Sequence, residues 1–213
     1  TVLGNWIGTN VTETADVGNL FAGVFIQGRG VTIGGVGAGE GNVIAFNGTQ
    51  GVATRRTRGA VISNRIHGNG QLGISSRTGD NGTAGGRLPN DPGDPDNPAN
   101  NGQNFPEISA FALAAGNANL SYRVDSTAAN SAYPLRVEFF KADGDEGREF
   151  IGFDSYLAAE AQTVKAISLP IPPGVALSAD DVIVATATDA QGNTSEFSFS
   201  LIQSLSILSD APD

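Results

Sequence analysis

The first residues that could do chemistry are basic side chains within the first 80 positions. Arg55 and Arg77 are 22 residues apart, and Arg58 and Arg65 lie between them. Guanidinium groups on one face could bind the carboxylates or sulfates of an acidic glycan through bidentate hydrogen bonds. His67, the one histidine of the chain, could serve as a base beside them. The alternative is that the arginines are solvated and protect strand edges from aggregation, and that His67 is a turn residue.

Acidic residues that could complete a catalytic site are scarce in this region. Glu13, Asp16, Glu40 and Asp80 are the only ones before residue 89, and no two of them are related by a repeat. A glycosidase needs two carboxyl groups about 5 to 10 Å apart, so no such pair is visible here. No Gly-x-Ser-x-Gly motif indicates a serine hydrolase. A polysaccharide lyase that uses the arginines therefore stays open.

Two acidic clusters could bind calcium, which prefers six to eight oxygen ligands. The first contains Asp91, Asp94 and Asp96, and the second contains Asp143, Asp145 and Glu146. Neither continues as the twelve-residue loop of an EF-hand. The alternative for both clusters is an acidic turn in water, since Asp and Gly are common turn residues.

Composition excludes several classes of protein. The 213 residues include no Cys, which rules out disulfides, thiolate metal sites and a cysteine nucleophile. The formal net charge of -10 argues against nucleic acid as a partner, because such binding depends on Lys and Arg. No apolar run approaches the roughly 20 residues of a membrane span. Residues 1–88 contain seven Arg and four acidic residues, whereas the rest of the chain contains five Lys and Arg and eighteen acidic residues. This change in charge indicates two domains.

A repeated motif organises the first part of the chain. Asn-x-Ile-x-x-Asn occurs at 5–10, 42–47 and 64–69, and the last two copies are 22 residues apart. The first interval is longer, and its extra residues lie at the joints between apolar stretches, as a solenoid tolerates.

Each repeat contains three short stretches typical of β-strands, for example 42–44, 51–53 and 60–62. Strands of successive repeats would stack about 4.8 Å apart, with the Ile series inside and the Asn series forming amide ladders. The sequence therefore predicts a parallel β-helix with rungs of about 22 residues.

The motif also resembles a known family. Asn-x-Ile-Gly-Thr, the Gly-rich stretch 34–44 and the repeated Gly-Asn-Gly resemble the right-handed parallel β-helix repeats of large secreted or surface bacterial proteins, which implies a right-handed β-helix here. The stretches 88–91 with 103–106, and 186–189 with 192–198, are similar to segments that follow such a helix. The resemblance implies an extracellular or cell-surface location, and it is compatible with both scaffold proteins and polysaccharide lyases or hydrolases.

The second half has a different pattern. A stretch rich in Gly, Asn, Asp and Pro is followed by short alternating apolar segments and by the turn Asp189-Ala190-Gln191-Gly192-Asn193, which predict an immunoglobulin-like antiparallel β-sandwich. We predict four regions: part of a β-helix at 1–77, a linker at 78–106, the sandwich at 107–203 and a tail at 204–213. The seven predicted strands are 108–113, 120–124, 135–140, 150–156, 164–169, 182–188 and 196–202.

Three functions are compatible with these patterns. The first is a non-catalytic module of an exported protein that serves adhesion, display or carbohydrate contact, with further rungs expected upstream in the natural chain. The second is a lyase or hydrolase that acts on an acidic glycan through the arginines. The third is a self-assembling structural protein, because an exposed first rung offers unpaired strand edges.

Overall fold

The structure is a computed structural model that describes residues 1–54, 58–76, 86–95 and 99–200. Within these ranges the chain is all-β, as the sequence predicts, and none of its helical segments is long or apolar enough to span a membrane. We call residues 1–76 the N-terminal part and residues 107–200 the C-terminal part. The strands are β1 Trp6–Ile7, β2 Val24–Ile26, β3 Val31–Gly34, β4 Val43–Ala45, β5 Val52–Thr54, β6 Gly59–Ile62, β7 Arg65–His67, β8 Ile74–Ser75, β9 Glu107–Ala114, β10 Asn117–Arg123, β11 Leu135–Asp143, β12 Glu146–Tyr156, β13 Lys165–Pro170 and β14 Ile183–Thr188.

The N-terminal part consists of three small parallel sheets, with strand orders β1-β4-β7, β2-β5-β8 and β3-β6. Val43 of β4 pairs with Arg65 of β7, and Val52 of β5 pairs with Ile74 of β8, so each partner lies 22 residues further along. This register confirms the predicted period. The three strand stretches predicted for one repeat correspond to β4, β5 and β6.

The resemblance to the parallel β-helix repeats of large secreted or surface bacterial proteins is wrong. Each sheet of the described residues contains only two or three strands, and no long solenoid is formed. The physical reason is the number of repeats. Because the Asn-x-Ile-x-x-Asn motif occurs three times, at most three strands can stack in one sheet before the chain changes to antiparallel pairing.

Asparagine side chains connect the stacked segments, as the sequence predicts. Asn19 Nδ2 donates to Asn47 Oδ1 at 2.8 Å, and Asn47 Nδ2 donates to Asn69 Oδ1 at 2.9 Å. The backbone N–H groups of Asn19 and Asn47 donate to the same oxygens as their side chains do. A second ladder with the same direction runs from Asn5 through Asn42 to Asn64.

The C-terminal part contains two antiparallel sheets of three strands, with orders β13-β10-β9 and β12-β11-β14. They share one apolar core that includes Leu120 and Tyr122 from the first sheet and Val137 and Phe139 from the second. Six of the seven predicted strands are present as β9 to β14. The described part of the seventh, up to residue 200, is no regular strand, although Ser198 N donates to Ala185 O of β14.

A second core joins the N-terminal part to the C-terminal part. Apolar residues of the parallel sheets pack together with residues of β11, β14 and the segment after β14. Its buried members are Ile26, Ile33, Ile44, Val52, Val61, Ile66, Ile74, Phe140, Val184 and Phe197. The antiparallel β12-β11-β14 sheet therefore contributes apolar side chains to both cores.

The described residues of the predicted linker are packed against both parts. Asn100 accepts a hydrogen bond from Gly59 N and donates one to Thr194 O. Phe105 is buried, and so is the carboxylate of Asp94. This segment consequently contributes contacts between the two parts and is not an open spacer.

Candidate functional site

The predicted arginine surface is only partly described, because Arg55 and Arg77 lie outside the described residues. Arg58 is exposed, and its Nη1 donates to Gln191 Oε1 of the C-terminal part at 2.6 Å. Arg65 and His67 do lie together, since alternate residues of strand β7 point to the same side. The hydrogen bond of Arg58 with Gln191 connects the N-terminal part to the C-terminal part.

Glu13 brings Arg65 and His67 into one cluster. It belongs to the loop that follows β1 and folds back through a bridge between Thr9 and Asp16. Its two carboxylate oxygens accept hydrogen bonds from Arg65 Nη1 and Nη2 at 2.6 and 2.7 Å. The sequence did not associate Glu13 with this pair, because 52 residues separate it from Arg65.

His67 is buried inside this cluster and cannot reach a ligand in solvent. Its Nε2 lies 3.4 Å from Glu13 Oε2, and neither ring nitrogen has a hydrogen-bond partner among the described residues. Burial lowers the pKa of His67, the charges of Arg148 and Arg65 lower it further, and Glu13 opposes them. An imidazole enclosed in this way is not accessible as a base to a ligand in solvent.

The first acidic cluster is likewise used by the fold. Asp94 is fully buried and accepts hydrogen bonds from Gln103 Nε2 at 3.0 Å, Asn104 N at 3.2 Å and Ser131 Oγ at 2.5 Å. Asp91 lies beside it in the turn, and Asp96 lies outside the described residues. Among the residues that the structure describes, no three His, Asp or Glu side chains are arranged to hold a metal ion.

The second acidic cluster borders a groove. The groove, which we call the junction groove, has a volume of about 460 Å³ and lies where the N-terminal part meets the β11–β12 turn. Asp143 and Asp145 are each about two-fifths exposed on its rim. It is lined by Gly68, Asn69, Gln71, Leu72, Gly86, Asp143, Gly144, Asp145 and Glu146.

Arginines neutralise both rim carboxylates. Arg148 Nη1 lies 3.3 Å from Asp143 Oδ2, and Arg87 Nη2 lies 3.3 Å from Asp145 Oδ1. The Arg87 side chain is only 4% exposed and stacks over the ring of Phe199 at 4.2 Å. The groove is consequently polar, with balanced charges along its rim.

Asn69 and Glu146 form the floor of the junction groove. Asn69 N donates to Glu146 Oε2 at 2.9 Å, and Asn69 Nδ2 donates to Glu146 Oε1 at 3.0 Å. Glu146 therefore takes the place that the next asparagine would occupy in the ladder. Burial raises the pKa of Glu146 to about 7, while the hydrogen bonds from Asn69 oppose the rise. The sequence places Glu146 in the second acidic cluster but does not predict its hydrogen bonds with Asn69, because 77 residues separate the two.

Comparison with known proteins gives no relative from which a function could be transferred. No family model matches the chain, and neither a curated protein nor a solved structure is similar to it.

Proposed function

We propose that this chain is a non-catalytic binding module that contacts a carbohydrate in the junction groove. The observation that carries the proposal is an open groove whose rim presents the partly exposed carboxylates of Asp143 and Asp145 and the amide of Gln71. Carboxylates and amides are the groups that accept and donate hydrogen bonds to sugar hydroxyls. Leu72 adds an apolar surface for the carbon face of a ring.

The charge balance of the groove favours a neutral glycan. Arg148 and Arg87 are paired with the two rim carboxylates, so the rim offers polar atoms without a strong field of one sign. A cationic ligand would have to compete with both arginines, and an acidic glycan would face both aspartates. A ligand rich in hydroxyl groups meets neither penalty.

Binding is favoured over catalysis because three ionisable side chains that the structure describes, Glu146, Glu13 and His67, are held by contacts within the fold. Both oxygens of Glu146 accept hydrogen bonds from Asn69, and both oxygens of Glu13 accept from Arg65. His67 is enclosed. These contacts support structural roles for the three residues.

Two further features belong to the same proposal. We place the module outside the cell or at its surface, which the acidic and cysteine-free composition supports. We also infer an immunoglobulin-like arrangement of the C-terminal part, supported by its two three-stranded antiparallel sheets and by the turn at 189–193.

Calorimetric titration against a panel of neutral and acidic oligosaccharides tests the proposal. We expect a neutral oligosaccharide to bind, and Gln71→Ala and Asp143→Asn each to weaken its binding at least fivefold. Asp180→Asn is the matched control, because Asp180 is an exposed acid beside a different depression. Absence of binding, or equal affinity of all variants, would contradict a glycan site in the groove. Release of new reducing ends would instead favour a hydrolase.

A further inference from the structure

Residues 10–16, which we call the strap, belong to the loop after β1 and reach strand β7. Among the described residues, the hydrogen bonds of the strap stay within residues 8–18, with one exception. The exception is Glu13, whose carboxylate accepts from Arg65. Val11, the one large apolar residue of the strap, is 68% exposed and adds little buried surface. The polar attachment of the strap to β7 thus depends on one carboxylate.

The carboxylate of Glu13 is bound in the manner of a ligand. Arg65 presents two parallel donors, Nη1 and Nη2, to its two oxygens, which is the fork geometry that guanidinium groups use for carboxylate ligands. Arg65 Nε donates to Arg148 O at 3.0 Å, so strand β12 also orients the guanidinium. The Arg65 side chain is 37% exposed, which places the binding position at the molecular surface beneath the strap.

His67 supplies a second group that faces the same position. Its side chain is 1% exposed, its Nε2 lies 3.4 Å from Glu13 Oε2, and neither ring nitrogen has a hydrogen-bond partner among the described residues. A buried polar group without a partner lowers stability, so packing alone does not explain a histidine here. The tethered carboxylate satisfies the fork of Arg65 and stops short of His67. A carboxylate that is free of the strap can approach both.

The backbone of the strap favours its release. Glu13 has a φ of +56°, in the left-handed region that is unfavourable for a residue with a Cβ atom and that glycine adopts readily. The strap therefore holds its carboxylate in place at a conformational cost. A competing carboxylate that carries no such cost can replace it.

We propose that Arg65 and His67 form a binding site for a small monocarboxylate, and that Glu13 fills this site as an internal ligand. The charge of Arg148, which also acts on His67, adds to the attraction for an anion. In the unaltered protein the tethered Glu13 competes at a high effective concentration, so an external ligand binds only when the strap moves away. The strap is thus an autoinhibitory contact. Neither Arg65 nor His67 lines the junction groove, so the proposal does not rest on glycan binding there.

Glu13→Gly empties the site, and glycine suits the φ of +56°, so the strap keeps its conformation in this variant. The probe is sodium acetate, which carries the carboxylate of a glutamate side chain on one methyl group, titrated at neutral pH and constant ionic strength. Because His67 is the one histidine of the chain, its ring Cε1–H resonance reports binding without overlap from another histidine. The melting temperature is a second readout, since a ligand of the folded state raises it.

Two matched controls separate recognition of a carboxylate from a general effect of the additive. Acetamide has the shape of acetate and no charge. Glu13→Gln keeps a side chain of the same size in the site and removes its charge, so the site stays filled. Adding Arg65→Ala to Glu13→Gly removes the fork that binds the carboxylate.

We expect acetate to shift the His67 resonance saturably in Glu13→Gly and to raise the melting temperature of this variant. Acetamide with Glu13→Gly, and acetate with Glu13→Gln, should bind about tenfold more weakly or less. Equal effects of acetate and acetamide, the absence of a saturable shift, or binding that survives the loss of Arg65 would overturn the proposal. If Glu13→Gly is unfolded, acetate has to restore the folded His67 resonance, and its failure to do so would overturn the proposal as well.

Discussion

The repeated glycines show how single residues support the ladders. Gly51 and Gly73 each lie four residues after a ladder asparagine, and neither has a positive φ. A Cβ atom on Gly51 would lie 2.5 Å from Ile66 Cγ2 and 2.7 Å from Gly73 O, and one on Gly73 would lie 2.9 Å from the Phe197 ring. Glycine is thus required at both positions because a side chain would not fit there, and not because the backbone has a positive φ. In tight turns, by contrast, glycine is often required because φ is positive.

The ion pair of Arg65 with Glu13 allows a prediction for a single residue. Arg65→Ala leaves a mostly buried carboxylate without its two strongest donors, so we expect the free energy of unfolding to fall by about 1 to 2 kcal/mol. Arg123→Ala is the control, because the pair of Arg123 with Glu107 is about two-fifths exposed and should contribute less than about 1 kcal/mol. Urea unfolding measures both, and equal losses would show that Glu13 does not anchor its loop.

Strand β12 is the element that ends the parallel stack. It begins at Glu146, whose carboxylate accepts the last donors of one ladder, and it runs beside β7, where Arg65 Nε donates to Arg148 O. Strand β11 acts in the same way through Glu138, which accepts hydrogen bonds from Ser63 N and Oγ. Two carboxylates on neighbouring strands thus replace the acceptors that a further parallel segment would supply.

The raised pKa of Glu146 predicts how this junction responds to pH. Because the folded state binds the proton more tightly than the unfolded state, the contribution of Glu146 to stability is complete below about pH 4.5 and is lost as the pH rises through about 7. Glu146→Gln cannot titrate. We therefore expect the unfolding free energy of the native protein, relative to this variant, to fall by about 3 kcal/mol between pH 4 and pH 8.

Chemical denaturation of both proteins at several pH values measures this difference. Groups such as His67, whose lowered pKa acts in the opposite direction, are present in both proteins and cancel. A difference that stays constant with pH would show that Glu146 titrates at its ordinary pKa in the folded protein.

At the scale of the whole molecule, the second core makes folding of the two parts interdependent. Phe197 contacts Phe140 edge to face, with ring centroids 5.5 Å apart, and it also lies against Gly73 of the parallel part. Phe140 and Val184 share this core with the isoleucines of the stack. Removing one part would expose apolar surface of the other to water, which costs roughly 25 cal/mol per Å².

We therefore expect one cooperative unfolding transition. Trp6 reports on the N-terminal part, and the three tyrosines, Tyr122, Tyr133 and Tyr156, all report on the C-terminal part. The tryptophan and tyrosine signals should give coincident melting curves. Phe197→Ala should lower the free energy of unfolding measured by either signal by about 3 to 5 kcal/mol. Val164→Ala, at an exposed site, is the control. Separate transitions, or a loss confined to the tyrosine signal, would contradict a shared core.

Much of the local structure could be predicted from the sequence because it depends on residues at regular spacing. The 22-residue period placed β4 to β8, the alternation of apolar residues located β9 to β14, and Asn47 and Asn69 were correctly assigned to a ladder. The candidate site was predicted less well. The sequence grouped Asp143, Asp145 and Glu146 as an acidic cluster, but it predicted neither the groove that they line nor the pairing of Arg65 and His67 with Glu13.

The sequence by itself thus determined that the chain is all-β, the period of its parallel strands and the alternating strand pattern of its second half. Only the tertiary structure decided where the stack ends, which carboxylates accept its last donors and which charged groups remain exposed. The reason is physical. A period of strands follows from local patterns, whereas the partners of Asn69 and Ser63 lie 77 and 75 residues away and meet them only when the two parts share a core.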